Sequence, residues 1–312
     1  MEVRRYQPAL ADDWHAVLAR SRNGLFLFER GYMDYHADRF PDFSAIAYAD
    51  GKPAALLPAT MAHGSGHAVS HAGLTFGGFV LPRDSRTEVT LQTVDAILEA
   101  LKSWGARELT VKLMPAAFCT YPSQDVDYAL WRRGFELVRR DLSTILPLGD
   151  AIPPNSSKRQ AIAKANKAGL EVGPGDLAAF HELLAEVLGW RHGVTPVHSL
   201  DELRLLMGRF PDRIALKAAM LDGETLAGAL TYRYPTAWHT QYLAASAEGR
   251  KCGALDLVIA TLIDEAREAG AQWFSFGTSS ADEGRTLNQG LLWQKESFGG
   301  RAVTHDFLRG AL

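Results

Sequence analysis

The chain has 312 residues, of which 47% are hydrophobic and 22% charged, and its formal net charge is −3 at pH 7. This length suits two domains of ordinary size, and the composition is that of a globular protein with a large core. The balanced charge excludes a global basic field for non-specific nucleic-acid binding, so no DNA partner is expected, whereas a local basic groove for RNA stays open.

The cysteines and the N-terminal stretch indicate the compartment. Cys119 and Cys252 lie far apart and neither belongs to a CxxC pair, so a zinc cage or a disulfide framework is not expected. The opening MEVRRYQPALADDWHAVL lacks the apolar centre of a signal peptide. No apolar run approaches the ~20 residues that a membrane span needs. We therefore expect a cytoplasmic protein without a membrane span.

The first half of the chain predicts an α/β unit. The stretch SAIAYADGKPAALLPATM places Asp50-Gly51 between two apolar runs, which is a strong hairpin signal. The stretch AVSHAGLTFGGFVLP predicts a glycine-rich strand, and glycines in a strand mark a bulge or the close approach of another group. The other predicted elements are a strand at 2–6, a helix at 11–21, an aromatic-rich segment at 26–40, a long helix at 84–104, a strand at 109–114, a helix at 125–133 and a closing strand at 135–148.

A break and a basic helix follow. The segment GDAIPPN predicts a linker between domains because of its glycine and its two prolines. The next segment, SSKRQAIAKANKAG, predicts a helix that carries four cations, namely Lys158, Arg159, Lys164 and Lys167. A solvated helix face and a docking surface for phosphates both fit this pattern.

The second half repeats the organisation of the first. Two amphipathic helices, at 176–188 and 200–210, flank the polar loop WRHGVTPVHS. The strands RIALKAAML and TLAGALTYRY then enclose an Asp222-Gly223 turn, which predicts a second hairpin. A third strand (TAWHTQYLAAS), a helix at 250–269, the strand QWFSFG, a helix-like segment at 287–298 and a last strand at 301–308 complete the chain.

The repeated order predicts two similar domains. In each half a hairpin with an Asp-Gly turn precedes a long helix that ends at a glycine, Gly105 or Gly270, and a strand follows. Short hairpins also resemble one another by chance, which is the alternative explanation. We predict an N-terminal domain at 1–148, a linker at 149–157 and a C-terminal domain at 158–312, each domain a mixed, mostly antiparallel sheet flanked by helices.

Common catalytic motifs are missing from the sequence. It contains no GxxxxGK[ST] loop, no GxGxxG after a strand, no HExxH and no GxSxG elbow. His63, His67 and His71 recur at every fourth residue and would align as metal ligands on a helix, but the neighbouring glycines predict a loop and a strand there. No metal is therefore expected.

Residues 213–277, with GRKCGAL at a predicted helix start, resemble the core of the GNAT acyltransferases. The pyrophosphate signature of that family is [QR]-x-x-G-x-[GA]; Arg250 and Gly253 match its first two fixed positions, and Leu255 departs from the third. Free amide groups and the helix dipole at such a start attract phosphate. The resemblance implies acyl-CoA, with acetyl-CoA foremost, as a co-substrate bound by Arg250, Lys251, Gly253 and Ala254.

The doubled unit, the basic helix and the ending NQGLLWQKESFGG resemble the Fem-type transferases, a tandem-GNAT family, over nearly the whole chain. The resemblance implies two tandem GNAT-like domains and an N-acyl transfer to an amine of a sugar or cell-envelope precursor, such as a nucleotide-linked amino sugar. In that family a lysine of the tail motif faces the donor phosphate and the reacting carbonyl. Lys295 takes that place, and Gln294 stands where an aromatic residue is expected. Aminoacyl-tRNA is the alternative donor that this tail implies.

Acyl transfer to an amine requires a base or a water chain for the amine proton and hydrogen-bond donors for the oxyanion. GNAT enzymes bring donor and acceptor together at the third strand of the core unit, here TAWHTQYLAAS. We predict His239, Gln241, Tyr242 and Lys295 as the catalytic residues. Strand alternation predicts that His239 and Gln241 face one side of the sheet and that Tyr242 faces the other.

The acceptor site is predicted from loops and from the first domain. Arg191 and His192 of the polar loop, together with His71, are the predicted acceptor-binding residues. The first half has no glycine at the matching helix start, PRDSRTEV, so we expect a degenerate domain that supports an acceptor cleft. The alternative outside the enzyme class is a tandem-GNAT module that binds a partner or a nucleotide sugar without catalysis.

Overall fold

The computed structural model describes the backbone of residues 1–312 and the side chains of residues 1–190 and 193–312. The chain divides into two compact units. The first comprises Met1–Asp141, Asp282–Arg285 and Thr304–Leu312, and the second comprises Leu142–Ala281 and Thr286–Val303. The chain therefore passes between the units more than once, whereas the domains predicted at 1–148 and 158–312 are contiguous.

The helices and strands follow the predicted order in most places. The helices are α1 (Ala11–Ala19), α2 (Arg30–Met33), α3 (Thr87–Ser103), α4 (Asp125–Arg132), α5 (Ser156–Lys167), α6 (Leu177–His192), α7 (Leu200–Arg209), α8 (Ala247–Cys252), α9 (Ala254–Glu268) and α10 (Gln289–Glu296). The strands are β1 (Glu2–Arg5), β2 (Ala45–Ala49), β3 (Lys52–Leu57), β4 (Thr60–Met61), β5 (His67–Val69), β6 (Glu108–Lys112), β7 (Glu136–Pro147), β8 (Glu171–Pro174), β9 (Ile214–Leu221), β10 (Glu224–Arg233), β11 (Ala237–Ala245), β12 (Trp273–Thr278), β13 (Ser280–Ala281), β14 (Thr286–Leu287) and β15 (Arg301–Ala311).

The first unit packs helices α3 and α4 on its strands. Its strands pair in the orders β1-β2-β3 and β4-β5-β6-β15. The predicted hairpin is confirmed: β2 and β3 are antiparallel, and both turn residues have positive φ, 50° at Asp50 and 74° at Gly51. Positive φ at both central residues is what a type I′ turn requires and Asp-Gly permits. The core is built from the buried face of α3, which includes Val94, Ile97, Leu98 and Leu101.

The glycine-rich stretch is a strand only at its start. The strand predicted across AVSHAGLTFGGFVLP is limited to β5, and the rest is irregular. A Cβ atom on Gly73 would lie 2.2 Å from His36 Nε2, and one on Gly77 would lie 2.0 Å from the Ser70 carbonyl oxygen. These glycines therefore permit dense packing inside the first unit, which local sequence patterns do not reveal.

The second unit is a mixed sheet with strand order β7-β12-β11-β10-β9-β8, in which only the β11–β12 pair is parallel among its described pairings. The β9–β10 hairpin turns at Asp222 and Gly223, with φ of 51° and 82°, as predicted. Helix α9 covers the sheet with a buried apolar face that contains Val258, Ile259, Leu262, Ile263 and Ala266.

Two helix boundaries in the second unit differ from the prediction. The single helix predicted at 250–269 is two helices, α8 and α9, because Gly253 adopts the left-handed conformation with φ of 82° between them. Helix α6 continues through Trp190 to His192, where a loop was predicted, and ends at Gly193 with φ of 64°. No helix among the described residues is long and apolar enough to cross a membrane.

Candidate functional site

Strands β11 and β12 of the second unit separate partway along their length. They pair in parallel at Ala237–Trp273, Trp238–Phe274 and His239–Ser275. Strand β11 then continues to Ala245 and β12 to Thr278 without further pairing between them in the described chain. Strands that part in this way leave backbone groups unpaired, and such groups are available to a ligand.

A bulge in β11 lies just beyond this point. Leu230 and Thr231 of β10 pair with Tyr242 and Thr240, so Gln241 is the extra residue. A bulge interrupts the alternation of side chains along a strand. The Gln241 amide accordingly lies close enough to the Tyr242 hydroxyl to lower its pKa. The prediction that Gln241 and Tyr242 face opposite sides is therefore wrong, because alternation cannot foresee a bulge.

The Tyr242 hydroxyl lies 2.5 Å from Nδ1 of His198, a buried residue in the segment between α6 and α7. Burial raises the pKa of Tyr242 to about 12, which outweighs the opposing effect of Gln241. Tyr242 therefore keeps its proton at neutral pH and can donate it to His198. The pair forms a hydrogen-bonded acid beside the bulge.

Lys295 and His239 meet at Gly277. The Lys295 amine donates to the carbonyl oxygens of Gly277, at 2.9 Å, and of Thr278. The His239 ring lies against Gly277, since a Cβ atom there would be 3.3 Å from His239 Cε1. His239 Nδ1 is 2.9 Å from the Ser275 hydroxyl oxygen. Two of the predicted catalytic residues thus share one neighbour at the end of β12.

Lys295 is a buried residue, although it sits on a short terminal helix. Its exposed fraction is 6%, and burial lowers the pKa of its amine from 10.5 to about 8. Desolvation disfavours the ammonium form, so part of the population is neutral a little above neutral pH. The low exposure excludes a solvent-exposed surface lysine on an amphipathic helix.

The start of α9 lines a cavity of about 310 Å³. No side chain caps α9 among the described residues, so its first amide groups have no side-chain acceptor. The positive end of the helix dipole and Arg250 make this end of the cavity suitable for an anion. The residues that line the cavity are Lys158, Val187, Ala245, Gly249, Arg250, Gly253, Leu255, Asp256, Gly290, Trp293 and Gln294.

The four predicted donor-binding residues divide into two groups. Arg250 and Gly253 line the cavity. Lys251 does not: its side chain is 74% exposed, and it lies 3.7 Å from Glu248. Ala254, the first residue of α9, is fully buried and does not line the cavity. The sequence motif thus located the cavity, but only half of its predicted residues reach it.

Gly253 has a second reason to be glycine. A Cβ atom there would lie 2.5 Å from the Ala161 carbonyl oxygen of α5, and its φ of 82° is costly for any other residue. Helix α5 therefore packs directly on the α8–α9 junction. Close approach to a phosphate is not needed to explain this glycine.

The basic helix α5 uses several of its cations inside the second unit. Lys158 forms a 2.6 Å ion pair with Asp256, and both side chains are largely buried. Lys164 donates to the Lys251 carbonyl oxygen at 2.7 Å, and Arg159 donates to the Pro154 carbonyl oxygen. The pattern is neither a purely solvated face nor a free phosphate-docking surface, because Lys158 and Lys164 also hold the α8–α9 junction in place.

Among the predicted acceptor-binding residues, only His71 has a side chain that the structure describes. His71 is 2% exposed, its ring packs near His36 and Phe40, and burial lowers its pKa to about 3. In this structure His71 is a neutral residue of the first unit's interior. The side chains of Arg191 and His192 lie outside the described residues, so their role stays a prediction.

Sequence reasoning missed several residues of the site. His198, Asp256 and Trp293 were not predicted, although His198 lies in a loop recognised as polar. Asp256 in the first turn of α9 and Trp293 one turn into α10 carry no motif. Only the pairing of Asp256 with Lys158, 98 residues earlier in the chain, places it at the cavity.

A family model and three solved structures match the chain. Residues 156–284 match the acetyltransferase (GNAT) domain family. FemX has a TM-score of 0.74 at 15% identity over 100% of this chain and 98% of that chain. L-PGS from Bacillus licheniformis has a TM-score of 0.63 at 15% identity, over 98% of this chain and 92% of that chain. A tandem GNAT protein from the clavulanic acid biosynthesis pathway has a TM-score of 0.52 at 10% identity, over 99% of this chain and 98% of that chain.

These matches confirm the predicted fold class, a pair of tandem GNAT-like domains, and the resemblance to Fem-type proteins. At these identities the solved structures show the fold alone, whereas the family match covers the bulged strand and the part of the cavity lining that precedes residue 285; Gly290, Trp293 and Gln294 lie beyond it. No curated protein matches the chain.

Proposed function

We propose that this chain, of which residues 156–284 match the acetyltransferase (GNAT) domain family and whose fold is similar to that of FemX, transfers an acyl group from acyl-CoA to an amine of a sugar or cell-envelope precursor. The observation that carries this proposal is the cavity at the uncapped start of α9, lined by Arg250 and placed in the same unit as the bulged strand β11. Acetyl-CoA is the donor we propose, and a nucleotide-linked amino sugar is the acceptor class.

In the proposed reaction the amine nitrogen attacks the thioester carbonyl carbon, and the carbonyl oxygen takes up negative charge. Unpaired backbone amides at the Gln241 bulge and the Lys295 ammonium group are the groups available to stabilise that charge. When the C–S bond breaks, the CoA sulfur leaves as a thiolate, and Tyr242 is the proton donor we propose for it, since burial keeps its hydroxyl protonated at neutral pH. Tyr242 recovers a proton from solvent.

The attacking amine must lose a proton as the new C–N bond forms. His239 is the residue we propose for this step, directly or through a water molecule, because it is hydrogen-bonded to Ser275 and lies at Gly277 with Lys295. Ser275 fixes the orientation of the ring through Nδ1. The proton then passes to solvent, so the reaction consumes no other reactant.

Calorimetric titration with acetyl-CoA and CoA tests the donor. We expect micromolar binding by the wild-type protein and a loss of at least tenfold in affinity for Arg250→Glu. Lys251→Glu is the matched control, because it makes the same charge change at the next residue, on a side chain that does not line the cavity. Equal losses in both variants would indicate a general electrostatic effect and contradict a donor site at Arg250.

Aminoacyl-tRNA is the second candidate donor. FemX is the structural match with the highest TM-score reported above, and the exposed cations Arg159, Lys167 and Lys251 lie on the helices beside the cavity. Binding of a charged minihelix, without binding of CoA, would favour this donor. A protein that binds neither donor, while remaining folded, would instead be a non-catalytic tandem-GNAT module.

A further inference from the structure

Trp293 is an exposed aromatic residue in the wall of the donor cavity. It lies on α10, its exposed fraction is 56%, and it is the one aromatic side chain among the described residues that line the cavity. The neighbouring Lys295 and Phe298 are buried, so the helix turns its packing face elsewhere. Core packing therefore does not account for Trp293.

A buried cation, Lys158, lies near the indole ring and lines the same cavity. The Lys158 amine lies 5.9 Å from the centre of the Trp293 ring and 5.1 Å from that of Phe298. Lys158 is itself fixed by its 2.6 Å ion pair with Asp256. A ring positioned by a buried cation loses little conformational freedom when a second planar group stacks on it.

Gln294 adds a polar group beside this ring. Its side chain lines the same cavity, and none of the described residues hydrogen-bonds to its amide. A glutamine amide presents one donor and one acceptor side by side, which match N7 and the N6 amino group of adenine. The tail motif of the Fem-type family has an aromatic residue at this position, so the glutamine is a departure of this chain.

We propose that Trp293 and Gln294 form an adenine-binding subsite: the adenine ring of the donor stacks on the indole of Trp293, and Gln294 hydrogen-bonds to its edge. The inference rests on the proposed function, since it concerns the same cavity. Arg250 and the start of α9 line the same cavity, and they suit the phosphates attached to that adenosine. A cavity of about 310 Å³ is small for a ligand pocket and suits one ring system rather than a whole CoA molecule.

Two donors carry the required group. CoA contains an adenosine with a 5′-diphosphate, and every tRNA ends in a 3′-terminal adenosine. The subsite reads the shared adenine and does not depend on which carrier brings the acyl group. Base stacking on an aromatic side chain accounts for roughly ten- to hundredfold in affinity.

The test compares whole and truncated donors by calorimetry. For the wild-type protein we expect acetyl-CoA to bind at least tenfold more tightly than S-acetyl-4′-phosphopantetheine, which lacks the adenosine together with its 3′-phosphate and one phosphate of the diphosphate. Trp293→Leu should lower the affinity for acetyl-CoA at least tenfold and leave that for the truncated donor unchanged, whereas Trp293→Phe should retain most of the binding. Gln294→Leu should weaken the binding of acetyl-CoA but not the binding of its 1,N6-etheno analogue, whose base edge is blocked.

Trp131→Leu is the matched control, because Trp131 is also an exposed tryptophan, at 69%, on α4 of the first unit. Equal acetyl-CoA binding by wild type and Trp293→Leu would overturn the subsite and leave the proposed function standing. A third outcome is that acetyl-CoA does not bind but a minihelix ending in CCA does. If Trp293→Leu then weakens binding of the CCA minihelix more than binding of a minihelix ending in CCU, the adenine comes from tRNA. If the wild type binds neither, the proposed function fails and the subsite fails with it.

Discussion

The two units use the same hairpin and long helix, but the helices begin differently. In the first unit α3 begins after Arg86 in extended backbone, and Glu88 lies in its first turn. In the second unit α9 begins after Gly253 in the left-handed conformation, and its first-turn carboxylate, Asp256, is held by Lys158. The acid of α3 faces the positive end of its own helix dipole, whereas the start of α9 lines a cavity with Arg250.

A second comparison concerns a lysine in each unit whose amine contacts two backbone carbonyl groups and has a lowered pKa. Lys112, the last residue of β6, donates to the carbonyl oxygens of Ala72 and Leu74, and Lys295 donates to those of Gly277 and Thr278. Burial lowers the pKa of both amines from 10.5 to about 8. A buried lysine on two carbonyl groups is therefore not by itself a mark of catalysis. The bulge and the cavity distinguish the second unit.

The largest effect is expected at the α8–α9 junction. Gly253→Ala should lower the free energy of unfolding by about 3 kcal/mol or more, because the left-handed backbone and the contact with Ala161 both oppose a Cβ atom. Gly223→Ala is the control: its φ is also 82°, but a Cβ atom there meets nothing within 4 Å. We expect that variant to lose only about 1 kcal/mol in chemical denaturation. Equal losses would contradict the packing of α5 on Gly253.

Lys112 and Lys295 should share the same dependence of stability on pH. Each amine has a lower pKa in the folded protein than in the unfolded chain, so between pH 8 and 10.5 the unfolded chain holds more protons and stability rises with pH. Relative to Lys295→Met and to Lys112→Met, the wild-type free energy of unfolding should gain about 2–3 kcal/mol across this window. Denaturation at a series of pH values measures it. If the difference in free energy of unfolding between the wild type and one of these variants does not change with pH, the amine of that lysine is solvated.

The tyrosine hydroxyls offer a smaller test. Tyr242→Phe removes the contact with His198, and Tyr48→Phe removes a 2.7 Å hydrogen bond from the Tyr48 hydroxyl to Asp13 in the first unit. Each variant should lose about 1 kcal/mol of stability. Only Tyr242→Phe should also slow thiol release from acetyl-CoA, by roughly tenfold if it protonates the leaving group. A loss of turnover in both variants would point to a general structural effect.

Sequence alone predicted what local rules determine. Asp50-Gly51 and Asp222-Gly223 gave both hairpins because a type I′ turn needs two residues with positive φ. The spacing of the apolar residues along α9 predicted which face of the helix is buried. The GRKCGAL motif located the cavity through Arg250 and Gly253.

Contacts between distant parts of the chain could not be predicted in the same way. The bulge at Gln241 depends on the pairing of β11 with β10, and the contact of Tyr242 with His198 joins residues 44 positions apart. The tail motif identified Lys295 but not its burial, which depends on the carbonyl groups at the end of β12. Gly253 was assigned to a phosphate, and its contact with α5 was invisible to the motif.

Hydrogen exchange with and without acetyl-CoA compares the two helix starts in one measurement. We predict slower amide exchange at the start of α9, around residues 250–256, and along α10, residues 289–296, and no change at the start of α3, around residues 86–92. Protection at α3, or protection absent from α9, would contradict a donor site at the second helix start and the difference between the units on which it rests.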